Sequence, residues 1–330
     1  MTLLLIAGVF GDVWRWVEHV FQRIGDMSPY WLALALALKT GESALIGVTW
    51  RNILRASYPK SGVTFKTAWG AAQGGTAINA VVPAQGGTAA MIGILRANVP
   101  GSTVSGLTVA TVVQSAFFLV VSVLIVIVTA IFRPHTVSKG SPSNETGGFF
   151  SSHPWVIVLI LAAVAVILYF LWPRLKPKVM DEWHKARQGA KVFANKSSYV
   201  VNVAAPSAAS YACRVGVNVV FMAAFGIPIT LFTVFLVASS HMLSQLFAIT
   251  PGGVGQTQAL DVATLRRYAS SHDVAAFSIT QDSVLTLWNV VLGIAVLLWA
   301  FGWGQVKTLL RPKRRRRKHA PETPAAVNPR

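Results

Sequence analysis

An all-α polytopic membrane protein is the fold class this sequence predicts: a helical bundle with two Pro/Gly-broken re-entrant hairpins in an inverted-repeat arrangement. Three observations predict it. Of 330 residues, 53% are hydrophobic and only 12% charged, with mean hydropathy +0.54, whereas a soluble domain is about a quarter charged. Apolar runs long enough to cross a bilayer recur along the chain. Two of these runs end in proline and glycine clusters, Pro83-Ala84-Gln85-Gly86-Gly87-Thr88 and Thr250-Pro251-Gly252-Gly253-Val254-Gly255-Gln256. Proline removes a backbone donor and glycine opens positive φ, so each cluster ends a helix. Within a bilayer such a break survives only where protein or a water-filled cavity satisfies the freed polar groups.

Taken in order, Met1–Phe10 is apolar but too short to span. Gly11–Asp26 mixes Trp14, Trp16 and Phe21 with charged residues and reads either as an interfacial amphipathic helix or, with Met1–Phe10, as the remnant of a first span whose start lies upstream. Pro29–Trp50 is a span containing Lys39 and Glu42 at i,i+3, on one face and able to pair. Both a site pair and a neutral structural pair fit that spacing. Thr67–Leu95 holds the first break, with limbs too short for a comfortable crossing each, so it is expected to enter and leave on one side. Ser102–Phe132 is a long span with Gln114 inside it, and Pro154–Trp172 is another. Pro206–Gly226 is a weaker span with Arg214 and Asn218 at i,i+4, followed by a turn at Ile227-Pro228. Ile229–Arg267 holds the second break, and Ala276–Trp303 is the last span, containing Asp282 and Asn289. Gln114 follows Pro83 at the same separation at which Asp282 follows Pro251, a weak internal repeat. The expected regions are 1–28, a transmembrane region 29–305 with halves about 67–132 and 229–303, and a basic tail 306–330.

Charge sets the orientation. The net charge of +18 is concentrated in Arg51–Lys66, Arg174–Lys196 and the tail with Arg314-Arg315-Arg316-Arg317-Lys318. If both breaks are hairpins entering from opposite faces, all three segments fall on the cytoplasmic side, as basic loops should. Single crossings would put Arg174–Lys196 outside. The expectation is a multi-pass protein of the cell membrane with a cytoplasmic C-terminus. A nucleic-acid partner is not expected, because the positive charge lies between membrane-length apolar runs and not along one face. Cys213 is the one cysteine, so no internal disulfide forms. No metal-binding or nucleotide-binding motif occurs, and no metal or cofactor is expected.

At its two breaks, and at Trp50-Arg51-Asn52-Ile53-Leu54, the chain resembles the lysylphosphatidylglycerol synthase transmembrane-region family, the UPF0104-type lipid flippase domain. The resemblance runs from about Gly11 to Trp303, and its more specific motif is Pro251-Gly252-Gly253-Val254-Gly255. Gln85 stands where the family often has arginine, and Thr257, between Gln256 and Gln258, where it usually has glutamate. Family members that also synthesise aminoacyl lipid carry a large soluble domain after the spans, whereas a short basic tail follows Trp303 here. The resemblance therefore implies a lipid flippase without synthase activity, not an enzyme, with membrane lipids as partners, anionic ones first, and a lipid-modifying enzyme beside it.

Two functions follow as expectations. A lipid translocase would bind its head group at the two breaks, where half-helix N-termini attract phosphate. The candidate binding residues are Pro83, Gln85, Gly86, Gly87, Thr88 and Arg96 at the first, and Pro251, Gly252, Gly253, Gly255, Gln256, Thr257, Gln258 and Arg266 or Arg267 at the second. A secondary transporter or channel for a small polar solute would use Lys39, Glu42, Asp282 and His241 as coupling groups. His241 also reads as an interhelical hydrogen-bond residue, and Asp261 as a structural partner of Arg266.

Overall fold

The computed structural model describes residues 28–81, 86–131, 196–246 and 255–310. The N-terminal segment 1–27, the apolar run Pro154–Trp172 with the basic loop that follows, and the tail beyond 310 lie outside the described residues. So do the break residues Pro83, Gln85, Pro251, Gly252 and Gly253. Among the described residues there are eight helices of ten or more residues and no strand. They are α1 (Pro29–Ser57), α2 (Phe65–Val81), α3 (Gly86–Asn98), α4 (Val104–Ile131), α5 (Ala205–Ala224), α6 (Leu231–Leu246), α7 (Gln256–Leu265) and α8 (Ser271–Leu310). By length and composition four segments are candidate spans: Pro29–Ser57, Val104–Ser122, Ser197–Ala224 and Ser271–Trp303. Their outward faces carry exposed Leu119, Val120, Val291 and Ile294, which suit hydrocarbon and not water. The chain is a multi-pass membrane protein.

At α1 and α5 the helix ends differ from the sequence reading, each for a local reason. Helix α1 starts at Pro29, whose missing donor is no loss in a first turn, but runs past Trp50 to Ser57. Arg55 favours the extension, since a basic group is favourable in a last turn, and its Nε donates to the Val63 carbonyl at 2.8 Å, fastening the following turn. Pro206 does not open α5. A helical turn at Lys196–Tyr199 and a π-helical turn at Val200–Ala204 lead into it without a gap. Pro206 has no N–H for the carbonyl of Asn202, and Asn52 Nδ2 supplies the donor at 2.9 Å. At the other end Gly226 adopts φ 66°. There its N–H bonds Ala223 O while Ile227 N–H bonds Met222 O, a Schellman closure.

Helices α2 and α3 fold back on each other, antiparallel, with Gly75 against Gly87 and Met91. Helices α6 and α7 do the same, with Ser244 against Thr257 and Ser240 against Asp261. The first limb of each pair packs against the long helix that follows the other pair: α2 lies along α8 and α6 touches α4. Helix α1 joins two apolar cores. Its C-terminal half, with Ile53 and Leu54, packs with α2, α3 and α4. Its N-terminal half, with Ala35, packs with α5, α6, α7 and α8 around Phe221 and Phe277.

The α2–α8 seam is built from small residues, which let backbones approach where lipid supplies no hydrophobic drive. A Cβ on Gly293 would sit 2.3 Å from the Ala77 Cβ, and one on Gly70 2.5 Å from the Ala300 Cβ. Gly293→Leu is therefore expected to destabilise the purified protein by about 1–3 kcal/mol, read as a lower thermal midpoint in detergent. An unchanged midpoint would show that the seam gives way freely.

Candidate functional site

Charge collects where the two cores meet on α1. Glu42, with its side chain 2% exposed, accepts from Lys39 Nζ at 2.9 Å through one carboxylate oxygen. Its other oxygen accepts from Arg214 of α5, at 2.8 Å from both Nε and an Nη. The Arg214 guanidinium also lies 5.5 Å from the Phe118 ring centroid of α4, a cation–π distance. An ion pair between α1 and α5 is favoured here because a charge within a bilayer is stable only beside a partner or a wet cavity.

That cavity is present. It has a volume of about 190 Å³ and lies between α1, α5, α6 and α8, with Lys39, Glu42 and Arg214 on one wall. Asp282 and Asn289 of α8 form the opposite wall, with Thr286 between them. Gln281, also on the lining, donates to Asn218 Oδ1 at 2.7 Å. The side-chain oxygens Gln281 Oε1 and Asn289 Oδ1 are buried and have no partner among the described residues. One wall thus offers cationic donors, the other a carboxylate and amide acceptors.

Behind His241, which also lines the cavity, Asp261 of α7 is fully buried. It accepts from Ser240 Oγ, from Ser278 Oγ at 2.6 Å, and faces His241 Nε2 at 3.2 Å. Arg266, expected as its partner, instead caps the end of α7 and is exposed. Five residues along a helix turn the two side chains to different faces, so Asp261 takes its partners from α6 and α8.

The second break meets the cavity at its edge, through the first residues of α7. Gln258 Oε1 accepts from Gly255 N–H at 2.5 Å, and its Nε2 donates to Asp282 Oδ2 at 2.9 Å. At the first break Gly87 N–H is taken by Asn79 Oδ1 at 2.7 Å. Helix α2 abuts the cavity wall through Gln73, whose Nε2 lies 3.4 Å from the backbone carbonyl of Asn289 and whose Oε1 accepts from Ser43. The side-chain oxygen of Gln256 is buried and unpartnered among the described residues. Gly86 and Thr88 open α3, half-buried, while Arg96 is exposed at its far end.

Of the sequence-predicted residues, Lys39, Glu42, His241 and Asp282 come together in one cavity, with Gln258 attached to it. Arg96 and Arg266 stand at exposed helix ends away from its lining. Arg214, Asn218 and Gln281 were missing from that set. For Arg214 and Asn218 the signal was present in their i,i+4 spacing inside an apolar helix, one face carrying two polar groups.

Nothing among curated proteins or solved structures matches the chain. The sequence profile of the Lysylphosphatidylglycerol synthase TM region matches residues 3–293. With that match covering most of its 330 residues, the chain belongs to the Lysylphosphatidylglycerol synthase TM region family.

Proposed function

We propose that this protein is a lipid translocase of the cell membrane, not an enzyme, moving a phospholipid or related lipid with an anionic head group from one leaflet to the other. The observation that carries the reading is the charged cavity between membrane-spanning helices, abutted by both helix pairs. Embedded charges of this kind mark a transport path. In this reading Lys39 and Arg214 attract the phosphate, Asn218, Gln281 and Asn289 bond its neutral neighbours, and the acyl chains stay in hydrocarbon. The two helix pairs are re-entrant hairpins that dip from opposite faces as inverted repeats. The exchanged packing of α2 on α8 and α6 on α4 supports that symmetry.

Pro83, Gln85, Gly86, Gly87 and Thr88 then form one tip of the path and Pro251, Gly252, Gly253, Gly255 and Gln256 the other, with Arg96 and Arg266 as contacts at its mouths. The basic segments, the C-terminus included, face the cytoplasm, and the enzyme that makes the lipid is the partner.

The test is lipid movement by purified protein in liposomes, using labelled anionic and zwitterionic phospholipids. Movement is expected for the anionic probe and is expected to vanish when Gly252 and Gly253 are both replaced by valine, with insertion intact. Normal movement in that variant would remove the second break from the path. A cysteine introduced by Ser143→Cys is expected to react with an impermeant reagent from outside alone; labelling from inside would reverse the orientation.

A further inference from the structure

His241, with Arg214 and Asn218, borders two spaces. One is the 190 Å³ cavity shared with Asp282 and Arg214. The other, between α5 and α6, is about 30 Å³ and borders Tyr211 and Arg214, room for a water or two. An imidazole standing between two such spaces, with a fully buried carboxylate behind it, is placed to take a proton from one and give it to the other. The groups facing it come from every helix packed around the site: Lys39 and Glu42 of α1, Arg214 and Tyr211 of α5, Asp261 of α7 and Asp282 of α8. Two cations stand against three carboxylates, so one negative charge is left over when His241 is neutral, and a single proton cancels it. Leaving a net charge in a bilayer is unfavourable, and histidine is the side chain that takes up a proton near neutral pH.

The geometry points to a proton site made of His241, Asp261 and Asp282, with Gln258 passing its state to Gly255 at the start of α7. The link is a single side chain. Gln258 holds the N–H of Gly255, at the mouth of the break, with one end and the Asp282 carboxylate with the other. When the cluster gains a proton, the pull of Asp282 on the Gln258 amide weakens, and the cap on Gly255 is free to shift. The proton is taken from water in the cavity and returned to water once the Gly255 cap has shifted. No bond other than the one to this proton is made or broken. Coupling of the proton to lipid movement rests on the translocase reading above; the proton site does not.

Two readouts on the full-length protein in liposomes test it. The first needs no lipid substrate: a pH jump from about 8 to about 6, across the ordinary histidine range, applied to proteoliposomes on a solid-supported membrane. A transient current is expected, from charge entering the site. It is expected to fall to background in His241→Gln, whose amide still donates to Asp261, and to persist in Asp273→Asn, an exposed residue at the start of α8. A full current in His241→Gln, or none in the unaltered protein, overturns the proton site.

The second readout is movement of fluorescently labelled phosphatidylglycerol under an imposed pH gradient. Its rate is expected to change at least about fivefold when the gradient is reversed, the lower end of coupling between linked sites. That dependence should be absent in His241→Gln. In Gln258→Leu the current should remain while the gradient dependence disappears. Gradient dependence that survives in Gln258→Leu removes Gln258 from the linkage. A current without lipid movement upholds the proton site and defeats the translocase reading. Lipid movement without a current does the reverse. Thermal midpoints of each variant in detergent identify any that misfold, and Asp282→Asn, equal in shape, then serves as the second variant, expected to lose the current as well.

Discussion

Glu42→Ala is expected to destabilise the protein by about 3–5 kcal/mol and to abolish lipid movement. Both carboxylate oxygens of Glu42 are in use, one by Lys39 and the other by Arg214. Removing the acid leaves two cations facing each other across α1 and α5 with no anion between them. Lys39 and Arg214 keep side-chain exposures of 17% and 34% toward the cavity, which lets water take part of the charge and holds the expected loss to the lower half of that range. Stability and function separate in a second variant. Replacing the whole triad by apolar residues (Lys39→Met, Glu42→Leu and Arg214→Met together) removes the desolvation of three charges along with their attraction, and such swaps are often neutral or stabilising. The triple variant is expected to melt within about 1 kcal/mol of the unaltered protein and still to move no lipid. Thermal midpoints in detergent and transport in liposomes check both. A Glu42→Ala protein as stable as its parent would mean water screens the triad fully. A triple variant that transports would remove these charges from the path.

The sequence made the bundle legible because hydropathy and length are local properties. The runs that became α1, α4, α5 and α8 stand out by composition alone. Helix ends were harder, because they depend on partners elsewhere. Pro206 looked like a helix start, as proline often is, and nothing near it in sequence shows that Asn52 satisfies the carbonyl it strands. The site divided along the same line. Lys39 and Glu42 were readable as a pair because they lie one turn apart on a single helix. Arg214, the third member, is 172 residues from Glu42, and its i,i+4 relation to Asn218 marked a polar face without saying what that face meets. Nearness along the chain pairs Asp261 with Arg266, whereas its partners sit across two helix interfaces. Asp282 was readable as an embedded acid. Its bond to Gln258 was not, because it joins α7 to α8 across a turn whose path the sequence leaves open.

Gly87→Val is the second substitution with a large expected effect, a loss of about 3 kcal/mol together with transport. A Cβ at Gly87 would lie 1.9 Å from the Gly75 carbonyl oxygen and 2.6 Å from Asn79 Cγ. The first obstacle is backbone, so no side chain can rotate out of the way, and α3 must lift off α2. Lifting it also breaks the Asn79 bond to the Gly87 N–H, leaving a first-turn donor unpaired near the break. Helix α2 cannot retreat to make room, because its other face is held against α8 by Gly70, Gly74 and Gly293. Gly93, on the same helix, is the control. A Cβ there meets nothing within 4 Å, and valine is a better helix former than glycine, so Gly93→Val is expected to be neutral or slightly stabilising. Thermal melts of the two variants in one detergent, read beside lipid movement, decide the matter. If Gly87→Val melts with Gly93→Val and transports normally, the two limbs do not need their close approach and the first break is not held as a hairpin. If it melts normally but does not transport, the limbs separate cheaply and the break itself is what the lipid requires.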